Sequence, residues 1–335
     1  MPDLIPALIK LYIPLMGWIS LGWVLGRLLP KGASAKLGQF IFWIGLPISI
    51  VAFLYRADLS GWILIAPVTA WVAIAVGAAF AWVWIDLGVG DERLRAMSKG
   101  LDDHAPNTGL VLQNSDWSRA TQGSFLLAMM VGNTGYMGFP VVLGLVGPDY
   151  FAWALFYDLL GTFVGVYGVG VVLAAKYGTV GEGGSVKLSE KILKNPAIWS
   201  LGFGLLLRLV NLPEFAETSL RTCAWGIVNL ALVLIGMQLS QLRSLRKLKQ
   251  ALPCLGIKMV LVPLVVGTGL MFFGVAEQTQ LALVLQMGMP PAFATVVFAE
   301  AYGLDRELAV TTLVFGCLAL LVLLPLWVLL FGAMT

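Results

Sequence analysis

The chain has 335 residues, and 59% of them are hydrophobic while only 12% carry a charge. An average soluble domain has roughly 25% charged residues, so this composition favours a membrane protein over a soluble one. The net charge of +3 is small and no basic patch is interleaved with aromatic residues, so we expect no nucleic-acid partner. Three cysteines and one histidine form neither a disulfide framework nor a metal-ligand pattern, so we also expect no metal, no cofactor and no enzymatic centre.

Stretches of about 20 largely apolar residues can cross a bilayer as helices, and this chain contains ten of them. The sequence therefore predicts an all-α integral membrane protein with ten spans, numbered in chain order. Their ranges are 6–29, 37–55, 60–85, 122–146, 149–175, 195–212, 220–240, 251–274, 279–300 and 307–332. A long polar connection, 86–121, follows span three. One reading of this connection is a solvated insertion. The alternative is a functional element that acts as a gate or docks a partner.

Lysine and arginine are distributed unevenly over the connections. The connections after odd-numbered spans hold 16 of the 21 Lys and Arg residues, and the opposite connections hold three. Since short basic loops stay in the cytoplasm, this split predicts that the odd connections are cytoplasmic and that both termini lie outside. We expect the protein in a prokaryotic-type inner or plasma membrane.

Glycine and proline interrupt spans four and nine. The segments are Gly132-Asn133-Thr134-Gly135-Tyr136-Met137-Gly138-Phe139-Pro140 and Gln286-Met287-Gly288-Met289-Pro290-Pro291. An interrupted membrane helix leaves backbone N–H and C=O groups that lipid cannot satisfy, so protein or a water-filled cavity must surround it. Interruptions at corresponding places in two halves of a chain point to the binding site of a secondary transporter.

The two halves of the chain correspond loosely when one is shifted by 156 residues. The shift places Gly147-Pro148-Asp149 on Gly303-Leu304-Asp305, and Gly132 on Gly288. Because each half has an odd number of spans, the second half must enter the membrane inverted. The sequence therefore predicts two inverted five-helix repeats, 1–176 and 195–335, joined by a cytoplasmic linker at 177–194.

The interrupted segments are similar to those of the auxin efflux carrier family. This family groups bacterial permeases with the plant PIN-formed auxin exporters, within the bile acid/arsenite/riboflavin transporter superfamily. The resemblance lies in Asn133-Thr134 followed by a glycine and Pro140, in Gln286 four positions before Pro290, and in the segments 234–239 and 298–305.

The resemblance implies a fold like that of bile-acid symporters and sodium/proton antiporters. Spans one, two, six and seven would form a scaffold, and spans three to five and eight to ten a transport core in which spans four and nine cross. The plant carriers differ at two places. They have a proline at the position of Gly132, and they carry an acidic and a basic residue in span three, where this chain has no ionisable residue.

Polar groups at the two interruptions are candidate substrate contacts, although they can also satisfy the amides of the broken helices themselves. A buried amide needs hydrogen-bond partners, and one that faces a cavity can bind a carboxylate. The substrate-binding candidates are Asn133, Thr134, Gly135, Gln286, Gly288 and Pro290. The residues expected to shape the crossing are Gly132, Gly138, Pro140, Pro290 and Pro291.

Asp158 is the acidic residue that lies well inside a span. An intramembrane carboxylate is costly and is a functional candidate by default, so Asp158 is a candidate for proton coupling, with a helix contact as the alternative. Weaker candidates are Asn229 and Gln238, which either line the core or hold helices together. Lys258 is another weak candidate, because near the start of span eight its side chain can snorkel to the surface.

Together these features favour a secondary carrier, or efflux carrier, for small organic anions such as auxin-like or other carboxylates. Half-helix N-termini carry partial positive charge and suit an anion. The hypothesis includes an elevator-like movement of the core and coupling to protons or sodium. A cation/proton exchanger on the same fold and a membrane-embedded sensor or enzyme are the alternatives. The apolar faces of spans one, two, six and seven leave a homodimer open.

Overall fold

The computed structural model describes residues 4–30, 32–57, 59, 62–99, 117–179, 196–240 and 247–332, without the side chains of residues 4–12, 15, 88–99, 197 and 238. Within these ranges the regular structure is helical, and the only pairing of extended backbone is one isolated β-bridge. The helices are α1 Leu4–Leu28, α2 Ala33–Arg56, α3 Ile65–Lys99, α4 Arg119–Met130, α5 Thr134–Leu145, α6 Pro148–Tyr177, α7 Pro196–Leu207, α8 Glu214–Leu239, α9 Leu248–Phe272, α10 Glu277–Met287, α11 Phe293–Tyr302 and α12 Arg306–Phe331.

Six helices in the described part of the chain are long and apolar enough to cross a membrane: α2, α6, α8, α9, α12 and the portion Ile65–Leu87 of α3. Helix α5, helix α11 and the portion Ile198–Leu207 of α7 are apolar but shorter. The described part of the chain therefore confirms a helical protein with several helices able to cross a membrane. The number of ten spans, the inverted repeat and the outward orientation of both termini stay predictions.

Helix α3 continues to Lys99, past the predicted end of span three at residue 85. The polar segment after the apolar part contains Glu92, Arg93 and Ala96, which are good helix formers, so the first part of the predicted connection is helical. Residues 100–116 of that connection, with His104, lie outside the described residues. So do residues 180–195, which make up most of the predicted linker.

Helices α1 and α8 pack closely through glycine. A Cβ atom at Gly22 would lie 2.0 Å from the Val233 carbonyl oxygen, and one at Gly236 would lie 2.0 Å from the Ile19 carbonyl oxygen. Membrane helices associate through such small residues because lipid provides no hydrophobic drive between them. Helix α2 packs against α7 and α8, so α1, α2, α7 and α8 form one connected group.

Asp305 joins the starts of three helices at one end of the molecule. As the N-cap of α12, its carboxylate accepts hydrogen bonds from the Leu308 N–H at 3.0 Å and the Thr121 hydroxyl at 2.8 Å. The same carboxylate lies 3.1 Å from Lys247 Nζ, just before α9. The Asp305 carbonyl accepts a further bond from the Ser124 hydroxyl at 2.9 Å. Helices α4, α9 and α12 are thus fixed to one another there.

Five π-helical turns occur within the described helices. They are Ile41–Gly45 in α2, Thr134–Gly138 at the start of α5, Tyr157–Thr162 and Val166–Gly170 in α6, and Gly256–Leu261 in α9. Such turns are rare and often mark functional sites, because the extra residue displaces side chains and frees backbone groups. Here the π-turns carry Thr134, Asp158 and Lys258, three of the residues singled out in the sequence.

Candidate functional site

The two interrupted segments pair with each other through backbone hydrogen bonds. The Asn133 N–H donates to the Pro290 carbonyl at 2.7 Å, and the Ala292 N–H donates to the Val131 carbonyl at 2.9 Å. Gly132 and Pro291 face each other between these bonds in an antiparallel bridge. In this register neither Gly132 nor Pro291 takes part in the two bonds, so a proline, which has no N–H, fits at position 291.

Four helix ends meet at this bridge. Helices α4 and α10 end beside it, and α5 and α11 begin beside it. The first N–H groups of a helix have no acceptor within the helix, and this end carries partial positive charge. The Asn133 carbonyl satisfies the N–H groups of Met137 and Gly138, each at 3.1 Å. The N–H groups of Phe293 and Ala294 occupy the first two positions of α11, where no intrahelical acceptor exists.

A cavity of about 300 Å³ lies beside the interruptions. One wall comes from α2, and the others come from the interruptions, α6 and α11. Asn133 lines this cavity and is only 4% exposed, and its side chain has no hydrogen-bond partner among the residues that the structure describes. The lining residues are Phe42, Leu46, Val131, Gly132, Asn133, Thr134, Gly135, Tyr136, Asp158, Leu159, Thr162, Phe163, Val166, Tyr167, Ala292, Phe293, Ala294, Val297 and Phe298.

Asp158 reaches the interruption from α6 and lines the same cavity. Its carboxylate accepts a hydrogen bond from the Thr134 hydroxyl, and its Oδ2 atom lies 3.3 Å from the position that a Cβ atom on Gly135 would occupy. The carboxylate therefore sits at the N-terminus of α5, where partial positive charge stabilises an anion.

Lys258 approaches the interruption from α9. Its Nζ atom lies 3.4 Å from the position of a Cβ atom on Gly132, at the C-terminal end of α4. Lys258 is 4% exposed, and no ion pair in the described part of the chain includes it. The reading in which this lysine snorkels to the surface is therefore wrong. Lys258 is not among the residues that line the cavity.

Gln286 lies in a different environment from Asn133. It is fully buried, and neither polar atom of its amide has a hydrogen-bond partner within the described ranges. Its Oε1 atom lies 2.1 Å from the position that a Cβ atom on Gly138 would occupy, so the amide packs against the backbone of α5. Gln286 does not line the cavity, and its predicted contact with a ligand stays a prediction.

The remaining candidates divide between the bridge and places away from it. Pro290 supplies a carbonyl to the bridge, and Pro291 faces Gly132 within it. Gly288 packs near the Trp327 indole, and Pro140 lies in the first turn after the π-turn of α5. Asn229 does not line the cavity. Gln238 belongs to α8, but its side chain lies outside the described residues.

The sequence reasoning missed the aromatic wall of the cavity. Phe42, Phe163 and Tyr167 line it, and none of them was a candidate. Phe42 lies on a π-turn of α2, far from both interruptions in the sequence, and no local pattern marks it. Tyr136 lies within the interrupted segment of span four and Phe298 within the segment 298–305, so these two positions indicate an aromatic lining in the sequence.

A family model described as "Membrane transport protein" matches residues 115–328, which include both interruptions, Asp158 and Lys258. The chain belongs to this membrane transport protein family. An uncharacterized transporter of Methanothermobacter thermautotrophicus is 28% identical over 322 residues, which cover 95% of this chain and 94% of that protein. An uncharacterized transporter of Methanocaldococcus jannaschii is 24% identical over 210 residues, which cover 61% of this chain and 67% of that protein.

Membership in the membrane transport protein family confirms the prediction of an integral membrane transporter rather than an enzyme. The matched region contains every cavity-lining residue except Phe42 and Leu46, which lie in α2. The family match therefore spans both interruptions and the helices around them, and it does not include α2.

Proposed function

We propose that this membrane transporter is a secondary carrier for small organic anions. The observation that carries the proposal is a cavity lined both by the N-terminus of α11 and by Asn133, whose amide has no hydrogen-bond partner among the described residues. The first turn of α11 contains no acidic residue, so its free N–H groups are available to an anionic group. The aromatic and aliphatic walls suit the apolar body of a carboxylic acid.

In this proposal, Asp158 couples the binding of the anion to the binding of a proton. A carboxylate in the same cavity repels a bound anion, and the repulsion is strong where the effective dielectric constant is low. Protonation of Asp158 removes that repulsion, so an organic anion and a proton bind together more favourably than the anion alone. Auxin-like acids and other carboxylates are candidate substrates, and sodium is the alternative coupling ion.

The proposal includes two inverted repeats, 1–176 and 195–335, and an elevator-like movement. The paired interruptions support the repeat. Gly147 and Gly303, which the 156-residue shift superposes, also support it, because both have positive φ angles, at 111° and 67°. The cavity supports the movement because α2 of the proposed scaffold forms one wall and the interrupted helices of the proposed core form the others.

A cation/proton exchanger is a second candidate, since one carboxylate, Asp158, lines the cavity. However, the Thr134 hydroxyl and the N-terminus of α5 already stabilise that carboxylate. Within the described residues, no group of three or more His, Cys, Asp or Glu side chains stands ready to hold a metal ion. The anion carrier therefore accounts for more of the site.

A binding screen tests the proposal. Purified protein would be heated in the presence of monocarboxylates of graded size, dicarboxylates, the corresponding amides, and sodium or lithium salts. We expect monocarboxylates to raise the unfolding temperature and their neutral amides to have no effect. Stabilisation by the cations alone would favour the exchanger and overturn the anion carrier.

Asn133→Ala should then weaken carboxylate binding by roughly tenfold to a hundredfold, because a hydrogen bond to a charged group is worth about 1.5–3 kcal/mol. Asn229→Ala is the matched control, since Asn229 also lies in a candidate membrane helix but does not line the cavity. Equal affinity in Asn133→Ala and wild type would show that the anion does not bind at this amide.

A further inference from the structure

We propose that the Thr134 hydroxyl transmits the protonation state of Asp158 to the backbone of the interruption, by changing its acceptor between the Asp158 carboxylate and the Gly132 carbonyl. This inference rests on the proposed function in one respect: it explains how proton binding at the cavity would alter the conformation of a carrier. It gives Thr134 a role other than the substrate contact expected from the sequence.

The geometry of Thr134 allows both arrangements. Thr134 is 1% exposed, and its Oγ1 atom is within hydrogen-bonding reach of Asp158 Oδ1 and, at 3.4 Å, of the Gly132 carbonyl oxygen. A threonine hydroxyl has one hydrogen to donate and two lone pairs that accept. It can therefore satisfy one of these oxygens as a donor at any time, and the shorter contact is the one with Asp158.

The Gly132 carbonyl is available to receive that hydrogen. The two bonds of the bridge use the carbonyls of Val131 and Pro290, so Gly132 contributes neither of them. The Thr134 hydroxyl is the hydrogen-bond donor to Gly132 O in the described part of the chain. Lys258 Nζ lies 3.4 Å from the position that a Cβ atom on the same residue would occupy. A change at the Gly132 carbonyl therefore acts at the junction of α4 and α5.

The exchange conserves hydrogens. With Asp158 ionised, the Thr134 O–H donates to the carboxylate, and the Gly132 carbonyl has only a long contact. When a proton from cavity water binds Asp158, the carboxyl O–H becomes a donor and the Thr134 oxygen accepts from it. The threonine hydrogen then turns to the Gly132 carbonyl. One proton enters the site, and no covalent bond within the backbone changes.

Few other charged or titratable groups face this pair. Tyr136 in α5 and Tyr167 in α6 line the cavity with Asp158, Tyr157 adjoins it, and Lys258 in α9 flanks Gly132. The elements packed against this turn of α6 include α3 and α10. Their acidic residues with described side chains, Asp86 and Glu277, lie at the far end of the apolar part of α3 and at the first residue of α10. Asp158 is therefore the carboxyl group among the described residues at this interruption.

Cysteine labelling at the cavity tests this relay, in which the Thr134 hydroxyl passes the protonation state of Asp158 on to the Gly132 carbonyl. Val297→Cys places a thiol on the wall, where Val297 is 46% exposed, in a background with the exposed Cys223 changed to serine. The probe is a water-soluble maleimide applied to the full-length protein in acidic and alkaline buffer. We expect the rate at which the maleimide labels Val297→Cys to differ about tenfold between the acidic and the alkaline buffer, after correction for the pH dependence of thiol reactivity. A shift between two conformations would give such a difference.

The variants separate the relay from a simple charge effect. Thr134→Val keeps the shape and removes the hydroxyl, so its corrected rate should be the same in both buffers, whereas Thr134→Ser should respond like the parent. Asp158→Asn, whose amide donates to Thr134 as a protonated carboxyl does, should show the acidic rate in both buffers. Thr312→Val, at a buried threonine of α12 that does not line the cavity, should leave the response intact.

Infrared spectroscopy gives a second readout that does not depend on the labelled cysteine. A protonated carboxyl band that disappears in Asp158→Asn should move to higher wavenumber in Thr134→Val, which has lost the hydrogen bond, and stay in place in Thr134→Ser. An unchanged labelling response in Thr134→Val, or a parent that does not respond to pH, would overturn the relay. A normal response in a protein that binds no carboxylate would instead refute the anion carrier and leave the relay in place.

Discussion

Two buried ionisable side chains of opposite charge flank the junction of α4 and α5. Asp158 lies at the N-terminus of α5, and Lys258 lies beside Gly132 at the C-terminal end of α4. A helix N-terminus carries partial positive charge and a C-terminus partial negative charge, so each side chain faces an end of the opposite sign. This arrangement explains how a lysine that is 4% exposed is tolerated without an ion pair among the described residues.

The charge of Lys258 should also raise the affinity for an anion in the neighbouring cavity. Lys258→Met removes the charge and keeps an unbranched side chain, and we expect it to weaken carboxylate binding roughly tenfold, because charges act over longer distances at low dielectric constant. Titration of the purified variant with the best carboxylate of the screen measures this. Lys176→Met, at an exposed lysine in the last turn of α6, is the control. Unchanged affinity would limit Lys258 to a structural role.

Gly138 is required because the Gln286 side chain occupies the space where a Cβ atom would lie. Gly138→Ala would place a methyl group 2.1 Å from Gln286 Oε1, and Gln286 has no exposed route to move aside. We expect a loss of about 1–3 kcal/mol in stability, seen as a lower unfolding temperature in detergent. Gly168→Ala, with no atom within 4 Å of the new methyl, should not have this effect. Adding Gln286→Ala to Gly138→Ala should restore stability, and a failure to do so would contradict the packing.

At the scale of elements, the bridge between the two interruptions depends on particular backbone atoms. Ala292 has φ −74°, which proline can adopt, but in Ala292→Pro the ring Cδ atom replaces the hydrogen that points at the Val131 carbonyl oxygen. The bond is then lost and the ring crowds its acceptor, so we expect a loss of about 3 kcal/mol or more in thermal or denaturant unfolding. Pro291→Ala should be milder, because neither bridge bond involves residue 291. Equal effects of the two substitutions would argue against the bridge.

The positions of these interruptions could be predicted from the sequence, because glycine and proline break a helix through local properties of the chain. The carboxylate of Asp158 could be predicted too, since a charge inside an apolar stretch stands out. The approach of Lys258 to Gly132 could not, because it depends on how α9 packs against α4 and on a π-turn that no short motif encodes. Nor could the sequence show that Gln286 packs on Gly138 while Asn133 faces the cavity.

At the scale of the whole molecule, the cavity lies where two groups of helices meet. Helix α2 belongs to the group that packs with α7 and α8, and it is fastened there by the Arg56–Glu217 ion pair at 2.6 Å. Asp305 fastens α12 to α4 and α9 in the other group. If these two groups move as rigid bodies, a bound ligand stays with the interruptions in the second group, and the cavity wall formed by α2 changes its position relative to the ligand.

A cross-link across the cavity should therefore stop transport, whereas a cross-link within one group should not. Phe42→Cys and Val297→Cys lie on the α2 and α11 walls of the same cavity, and a flexible bis-maleimide can join them in a Cys223→Ser background. We expect joined protein in proteoliposomes to lose most of its carboxylate uptake. A pair of cysteines at Arg56 and Glu217, both in the α2 group, should retain uptake after cross-linking.

Because a reagent in the cavity could also obstruct the ligand, each single cysteine would be treated with a mono-maleimide of similar size. Uptake that stops only when both cysteines are joined requires movement between the two walls, and undiminished uptake in fully cross-linked protein would contradict the elevator.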